Sequence, residues 1–409
     1  MKWESLGFIS DPFTTDPIHQ KTLALYTGHE RDVKVSENVL SQRNVLFVIE
    51  GARGVGTTSF ANYLRFKAED RKEYFTPRNE IRVEKGWSLE TLLAVVIANI
   101  VRELEIFHPD EWVINDKRFQ NAKALSTRIA EAYRSFGIEA FGFGVNYGKA
   151  AGISSQPMIV PSGVLGHHLE DLSELICSLG YSYGMLIQLN NLDIGAIHTE
   201  EHMQYLFNAL RDYIQTDGIS WLLVGDIGLR RFIAQEVDRL DDIVSYEIEI
   251  GSLTKDEYRN LIQKRVEFYR SNPHAILPID EEVFVYLFDI TKGRLRYIFG
   301  LLQRLANDLG VGDLTDKITL EIAKPMITEL ARDRVSRNNL SQGEEEVLVT
   351  LVALNKASVT EIKKKLGKSL PYISKILAKL LKYRLVTAQK IGKAKFYAPV
   401  IDAVIAYSK

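Results

Sequence analysis

"VLFVIEGARGVGTTSF", residues 45–60, decides how this chain is read. Val45 to Ile49 is an apolar run too short for a helix and bounded by polar residues, which predicts a buried strand. Gly51, Ala52, Arg53, Gly54, Val55, Gly56, Thr57, Thr58 and Ser59 follow it, with four residues between the two outer glycines. "TSFANYLRFKAEDRK" then sets Phe60, Tyr63 and Leu64 on one stripe of a helix. In a strand–glycine turn–helix context the backbone folds into a nest of N–H groups that point at phosphate oxygens, and the helix dipole adds to the attraction.

Thr57 stands where such a loop keeps its lysine, and it brings no positive charge to the β- and γ-phosphates. A hydrogen bond of that charge-assisted kind is worth about 1.5–3 kcal/mol. Its loss weakens binding by about ten- to a hundredfold without abolishing it. Arg53 comes too early in the loop to replace the lysine. Thr58 places a hydroxyl where Mg²⁺ would be ligated, a weak metal position at best.

A second strand is expected in "GMLIQLNNLD" (184–193) and a third in "SWLLVGD" (220–226). The second ends on Asn190 and Asn191, where a hydrolytic phosphate-loop enzyme carries two acids, one for Mg²⁺ and one for the attacking water. Asparagine keeps the size and hydrogen bonding of aspartate but has no charge for a divalent cation and no basicity. The expectation is a nucleotide-binding site with its hydrolytic chemistry removed, a pseudo-ATPase. Asp193 or Asp226 would have to serve if the site were rearranged and active.

Around these strands the sequence expects helices near 28–41, 88–106, 118–136, 166–179 and 200–216 and a short strand near 80–84. Strands alternating with helices argue for a parallel α/β sheet covered on both faces. Residues 139–163 read as a hairpin or a strand plus loop. From 254 to about 335 the pattern turns helical, with Thr254 and Glu257 spaced as a capping box.

Composition fits that frame. The chain has 409 residues, 46% apolar and 25% charged, with a formal net charge of -2, which suggests two or three globular domains. The lone Cys177 excludes a disulfide framework and fits a reducing compartment. "LETLLAVVIANIV" (89–101) is too short to span a bilayer and "MKWESLGFISDPF" lacks a signal-peptide core, so a cytoplasmic protein with no membrane partner is expected.

Six landmarks fall in order between residues 10 and 400: "YTGHERDVKVSENVL" (26–40), "GARGVGTT" (51–58), "LIQLNNLD" (186–193), "WLLVGD" (221–226), "VSYEIEIGSLTKDEYRNLIQKRV" (244–266) and "KGRLRYIFGLLQRL" (292–305). Together they resemble AAA+ proteins of the branch holding archaeal and eukaryotic origin-recognition initiators, relatives of transposition-regulator and STAND-type ATPases. The resemblance implies an α/β nucleotide-binding domain over 1–250 with an N-terminal lead-in, a helical lid over 251–336 and a winged helix-turn-helix over 340–409. It also implies ATP or ADP, with or without Mg²⁺, between the α/β domain and the lid. Gly293-Arg294-Leu295-Arg296 stands for the usual Gly-Asn-Pro-Arg, so Arg296 matches the sensor arginine that reaches the γ-phosphate. Arg239, in "VDRLDD", lies near the arginine that acts on a neighbour's nucleotide, with Arg230 and Arg231 as rivals.

The near-neutral total hides a polarised chain. Between 356 and 396 there are eleven lysines and Arg384 against Glu361 alone, a net of +11, so the remainder carries -13. Charge segregated in this way suggests a polyanion-binding module on an acidic body. "VTEIKKKLG" and "SLPYISKILAKLLKYR" form the expected helix-turn-helix, and "LVTAQKIGKAKFYAPV" the wing. Tyr372, Lys375, Lys379 and Lys382 on the second helix and Lys390, Lys393 and Lys395 on the wing are the candidate contacts to double-stranded DNA. Lysine in place of arginine favours backbone contacts over guanine reading. The leading expectation is a nucleotide-gated assembly or recruitment factor, a homo-oligomer on DNA that works with a recombinase, replication or defence component. The alternatives are a DNA-stimulated ATPase with a non-standard site, or a winged-helix regulator or scaffold that binds no nucleotide.

Overall fold

The computed structural model describes residues 3–135, 160–308, 317–391 and 394–407. The chain divides into two compact units, Asp16–Leu253 and Met1–Thr15 together with Thr254–Lys409.

In the first unit α1 (Glu30–Val39) leads to β1 (Leu46–Gly51), the glycine turn and α2 (Thr57–Asp70). β2 (Ile81–Arg82), α3 (Leu89–Phe107), α4 (Glu111–Ile114), α5 (Lys117–Ser135) and α6 (Ser162–Ser178) follow. β3 (Met185–Asn190), α7 (Glu200–Ile214), β4 (Ile219–Gly225), α8 (Leu229–Glu236), α9 (Asp238–Asp241) and β5 (Tyr246–Ile250) complete it. The five strands make one sheet in the order β2-β3-β4-β1-β5, every pair parallel. All strands therefore end at the same edge, where the phosphate turn leaves β1, and β4 alone separates β1 from β3.

Burial on both faces explains the near-continuous apolar strands. Phe47, Ile49, Leu186, Leu222 and Val224 pack with Val55 of the turn and Phe60 and Leu64 of α2. Leu46, Val48, Ile187, Leu189, Trp221 and Leu223 face the other way, against residues of α3, α6 and α7. α2 is not a simple amphipathic helix, because Arg65 is 1% exposed on it. Its guanidinium donates to Asn62 Oδ1, Thr76 Oγ1 and the carbonyls of Pro77 and Arg78. A buried cation so fully hydrogen-bonded is tolerable, and it anchors the segment entering β2. The hairpin or strand expected at 139–163 lies mostly outside the described residues, and its last two residues open α6.

The second unit contains α10 (Lys255–Tyr269), α11 (Glu281–Thr291), α12 (Leu295–Asp308) and α13 (Leu320–Ser336). Thr254 and Glu257 form the expected reciprocal capping box at the start of α10. The first fifteen residues, expected to lead into the α/β domain, pack here instead. Phe13 is fully buried with its ring against Trp3, Phe284 and Phe299, and Arg265 donates to the carbonyls of Pro12 and Thr14.

The rest of this unit is α14 (Gln342–Leu354), β6 (Ala357–Ser358), α15 (Val359–Leu366), α16 (Leu370–Lys382), β7 (Val386–Ile391), β8 (Ala394–Pro399) and α17 (Ile401–Tyr407). β6, β8 and β7 form an antiparallel three-stranded sheet beside the three helices, a winged helix. α17 was not foreseen, and it packs along α13. Asp402 accepts a hydrogen bond from Tyr297 Oη at 2.6 Å and an ion pair from Arg334 at 2.8 Å, so α12, α13 and the winged helix share one body. No helix among the described residues is long and apolar enough to cross a membrane.

Candidate nucleotide and nucleic-acid sites

Gly51 ends β1, and α2 begins at Thr57 with Gly56 as its N-cap. Gly54 and Gly56 hold φ of +90° and +112°, values that only glycine adopts without strain. Gly56 has no side chain to cap the helix, so the first turn of α2 presents its N–H groups to an incoming anion. Gly51 is needed for a different reason. A Cβ there would stand 2.5 Å from Thr57 Oγ1 and 2.6 Å from the carbonyl of Ile250. The Thr57 hydroxyl is thus folded back over the strand end. Ser59 is occupied structurally, accepting from the N–H of Ile18 at 3.2 Å. Thr58 stays partly exposed at the helix start.

Three carboxylates lie at this edge of the sheet, and hydrogen bonds already hold all three. Glu50, the residue before the turn, is 5% exposed and accepts from the N–H groups of Gly228 at 3.0 Å and Arg230 at 2.9 Å, closing the start of α8. Burial outweighs those two bonds and holds its pKa above the ordinary carboxylate value. Asp193 accepts from the N–H of Asp226 at 2.9 Å and faces Arg53 of the phosphate turn at 3.9 Å. Asp226 accepts from the N–H of Ile227 at 3.0 Å. Glu50 was missed in the sequence, although an acid closing the apolar run "VLFVIEG" was a signal.

Asn190 and Asn191 diverge. Asn190, the last residue of β3, is 3% exposed, and its Oδ1 accepts from Gln188 Nε2 at 3.0 Å. Its Nδ2 and the Oε1 of Gln188 are buried without a hydrogen-bond partner among the described residues. Asn191 turns outward with φ of +64°, and its carbonyl accepts from His198 Nε2 at 2.9 Å. Burial holds the His198 pKa below its ordinary value, so it braces the turn as a neutral ring. A phosphate fits the turn. Asn190 itself offers a divalent cation no ligand, because its oxygen is taken and its free atom is a donor.

The arginines separate cleanly. Arg230 pairs with Glu247, and Arg231 donates to Gln235 Oε1 at 3.0 Å. Arg239 is exposed on α9, and its guanidinium has no ion pair among the described residues; only its carbonyl is used, by Arg211 Nε. Arg296 lies in the first turn of α12, in the other unit.

On the winged helix, Ile373, Ile376, Leu377 and Leu380 form the buried stripe of α16, capped by Ser369. Lys375 and Lys382 are exposed, as are Lys363, Lys364 and Lys365 on α15. Lys379 is committed elsewhere: it donates to Glu344 Oε1 at 2.8 Å, and Glu344, buried on α14, also accepts from the N–H of Ser341. The Lys379 bond and the Ser341 N–H hold the Glu344 carboxyl below its usual pKa. Tyr372 is 41% exposed, with its hydroxyl over Gly343. On the wing, Lys395 is exposed with its ammonium 5.5 Å from the Tyr397 ring. Lys390 lies on β7 paired with Lys395, and Lys393 lies outside the described residues.

A family model described as "Sugar-specific transcriptional regulator TrmB" matches residues 336–401, which is the winged helix and well under half of the chain. Among solved structures, the Aeropyrum pernix ORC2 protein in ADPNP and ADP complexes is 12% identical, covering 93% of this chain and 94% of that one at a TM-score of 0.47. The Aeropyrum pernix ORC1 protein in complex with DNA is 17% identical, with 93% and 91% coverage and a TM-score of 0.45. A Walker-type ATPase of Pyrococcus abyssi is 13% identical, with 97% and 99% coverage and a TM-score of 0.48. Likenesses this distant add no weight to the strand order and turn described above. No curated protein matches the chain. The architecture itself is plain: a parallel α/β sheet covered by helices, a helical segment and a C-terminal winged helix.

Proposed function

We propose that this chain is a DNA-binding AAA+-type protein that holds adenine nucleotide, ATP or ADP, at residues 51–59 and hydrolyses it slowly or not at all. Nucleotide occupancy would gate self-assembly on double-stranded DNA or recruitment of a protein partner. Replication initiation, transposition and mobile-element control are the settings that suit such a factor. The carrying observation is an open α2 N-terminus, set by Gly54 and Gly56 at positive φ, beside a β3 that ends in asparagine, in one chain with a lysine-faced winged helix. Charge is absent at three positions a triphosphate hydrolase depends on: Thr57, Asn190 and Asn191 are all neutral.

Arg239 supports the oligomeric part. An exposed arginine without an ion pair suits a role in reading a neighbouring subunit's nucleotide, while Arg230 and Arg231 are already engaged. Mass spectrometry of the denatured, freshly purified chain tests nucleotide binding directly. Adenine nucleotide should be released, and added ADP should raise the unfolding temperature, since a ligand at about 100 times its Kd contributes about 2.7 kcal/mol. Neither effect occurring would leave the turn as a mere connection.

One observation favours a second reading. The match of residues 336–401 to a transcriptional-regulator family suggests operator binding. A regulator should prefer its operator over random duplex by about a thousandfold or more, whereas an assembly factor that grips backbone should show little preference.

A further inference from the structure

Asn190 carries a consequence beyond the loss of hydrolysis. Gln188 and Asn190 lie on the same face of β3 as Leu186, which packs with Val55 of the phosphate turn and with Phe60 and Leu64 of α2. Asn190 therefore ends its strand on the side of the sheet where the turn rises into α2. Its side chain is nine-tenths buried or more, at 3% exposure. Gln188 Nε2 occupies its oxygen at 3.0 Å, and its Nδ2 has no partner among the described residues.

A buried amide N–H₂ left unpaired costs about 1–3 kcal/mol, so its retention calls for an acceptor that arrives from outside. A divalent cation is the opposite of an acceptor, and it needs oxygen ligands. The carboxylates that might supply them are engaged: Glu50 by Gly228 and Arg230, Asp193 by Asp226 and Arg53. A phosphate oxygen is an acceptor, and the open N–H groups of the turn already favour one.

We infer that the site binds a nucleoside di- or triphosphate as the metal-free anion, with Asn190 Nδ2 donating to a phosphate oxygen from the position where related sites hold Mg²⁺. This rests on the nucleotide reading above and deepens it. Arg53 of the turn faces Asp193 at 3.9 Å with its side chain largely exposed, a loose pairing that an incoming anion can compete for. Asparagine at this position then suits a bare polyphosphate rather than a metal complex.

Calorimetric titration of the full-length chain with ADP and with ATP, in excess Mg²⁺ and again in excess EDTA, tests this. The two conditions should give dissociation constants within about threefold of each other. Binding that is about tenfold or more tighter with Mg²⁺ overturns the inference and leaves nucleotide binding intact. Asn190→Asp replaces the donor by a carboxylate, so affinity in EDTA should fall by about tenfold or more and Mg²⁺ should restore part of it. Wild-type affinity of that variant in EDTA would refute the donor role. Asn190→Leu removes the donor without adding charge, and it should weaken both conditions alike. Unfolding curves of both variants without ligand separate a lost contact from a lost fold. No heat from either nucleotide under either condition removes the nucleotide reading together with the inference.

Discussion

Lys375 and Lys382 should set the salt dependence of DNA binding, and Lys379 should not. All three sit on α16 and are exposed, but only Lys379 is held, by Glu344 at 2.8 Å. Each phosphate neutralised by a free lysine contributes about 0.9 to the slope of log K against log salt. Replacing both Lys375 and Lys382 by alanine should lower that slope by about 1.8. Over a fourfold rise in salt, wild type should thus lose about tenfold more affinity than the double variant, beyond what both lose together. Fluorescence anisotropy of a random-sequence duplex across a salt series measures it. Lys379→Ala should leave the slope near its wild-type value and instead lower the unfolding temperature. Equal slopes for all three proteins, or a slope change from Lys379→Ala as large as from Lys375→Ala, would refute the division of roles.

Other outcomes follow from the same geometry. Phe13→Ala should destabilise the second unit by about 3–5 kcal/mol, because a fully buried ring among Trp3, Phe284 and Phe299 is lost, and denaturant unfolding would show it. Gly56→Ala forces a side chain into φ of +112° and should abolish nucleotide-induced thermal stabilisation while leaving DNA affinity unchanged. Burial raises the Glu69 pKa to about 7. Between 4.5 and that value the folded chain keeps a proton the unfolded chain gives up, so stability falls as pH rises through the window. Glu69→Gln should match wild type near the bottom of that window and exceed it by on the order of 2 kcal/mol above pH 7, after allowance for partial exposure.

Much of the fold was legible because the strands are buried on both faces and written as short apolar runs. β1, β3 and β4 all appear where those runs lie, and the Thr254–Glu257 cap marks the start of the helical segment. Local pattern could not show where a segment packs. Residues 3–13 carry Trp3, Phe8 and Phe13, and their place among α11 and α12 depends on contacts nearly 300 residues away in sequence. α17 was unreadable for the same reason: "IDAVIAY" is too short to announce a helix, and its partners lie on α12 and α13.

The sites show the same division. The glycines of the phosphate turn were plain from spacing, because positive φ is a property of the residue itself. The roles of neutral and charged side chains around it were not. That Asp193 meets the N–H of Asp226 and the guanidinium of Arg53 could not be read from its place in the chain. Glu50 stood out as an acid at the strand end, but not as a cap, because its partner Gly228 lies 178 residues later. Nothing in the local pattern showed that Lys379 pairs with Glu344, 35 residues earlier.

Phosphate release from Mg-ATP by the purified chain, with and without duplex DNA, tests the central claim most directly when run beside a nucleotide-binding assay on the same sample. Bound nucleotide with no release above the blank is the expected result. Turnover of about one per second or faster, lost in both Thr58→Ala and Asp193→Asn, would contradict it.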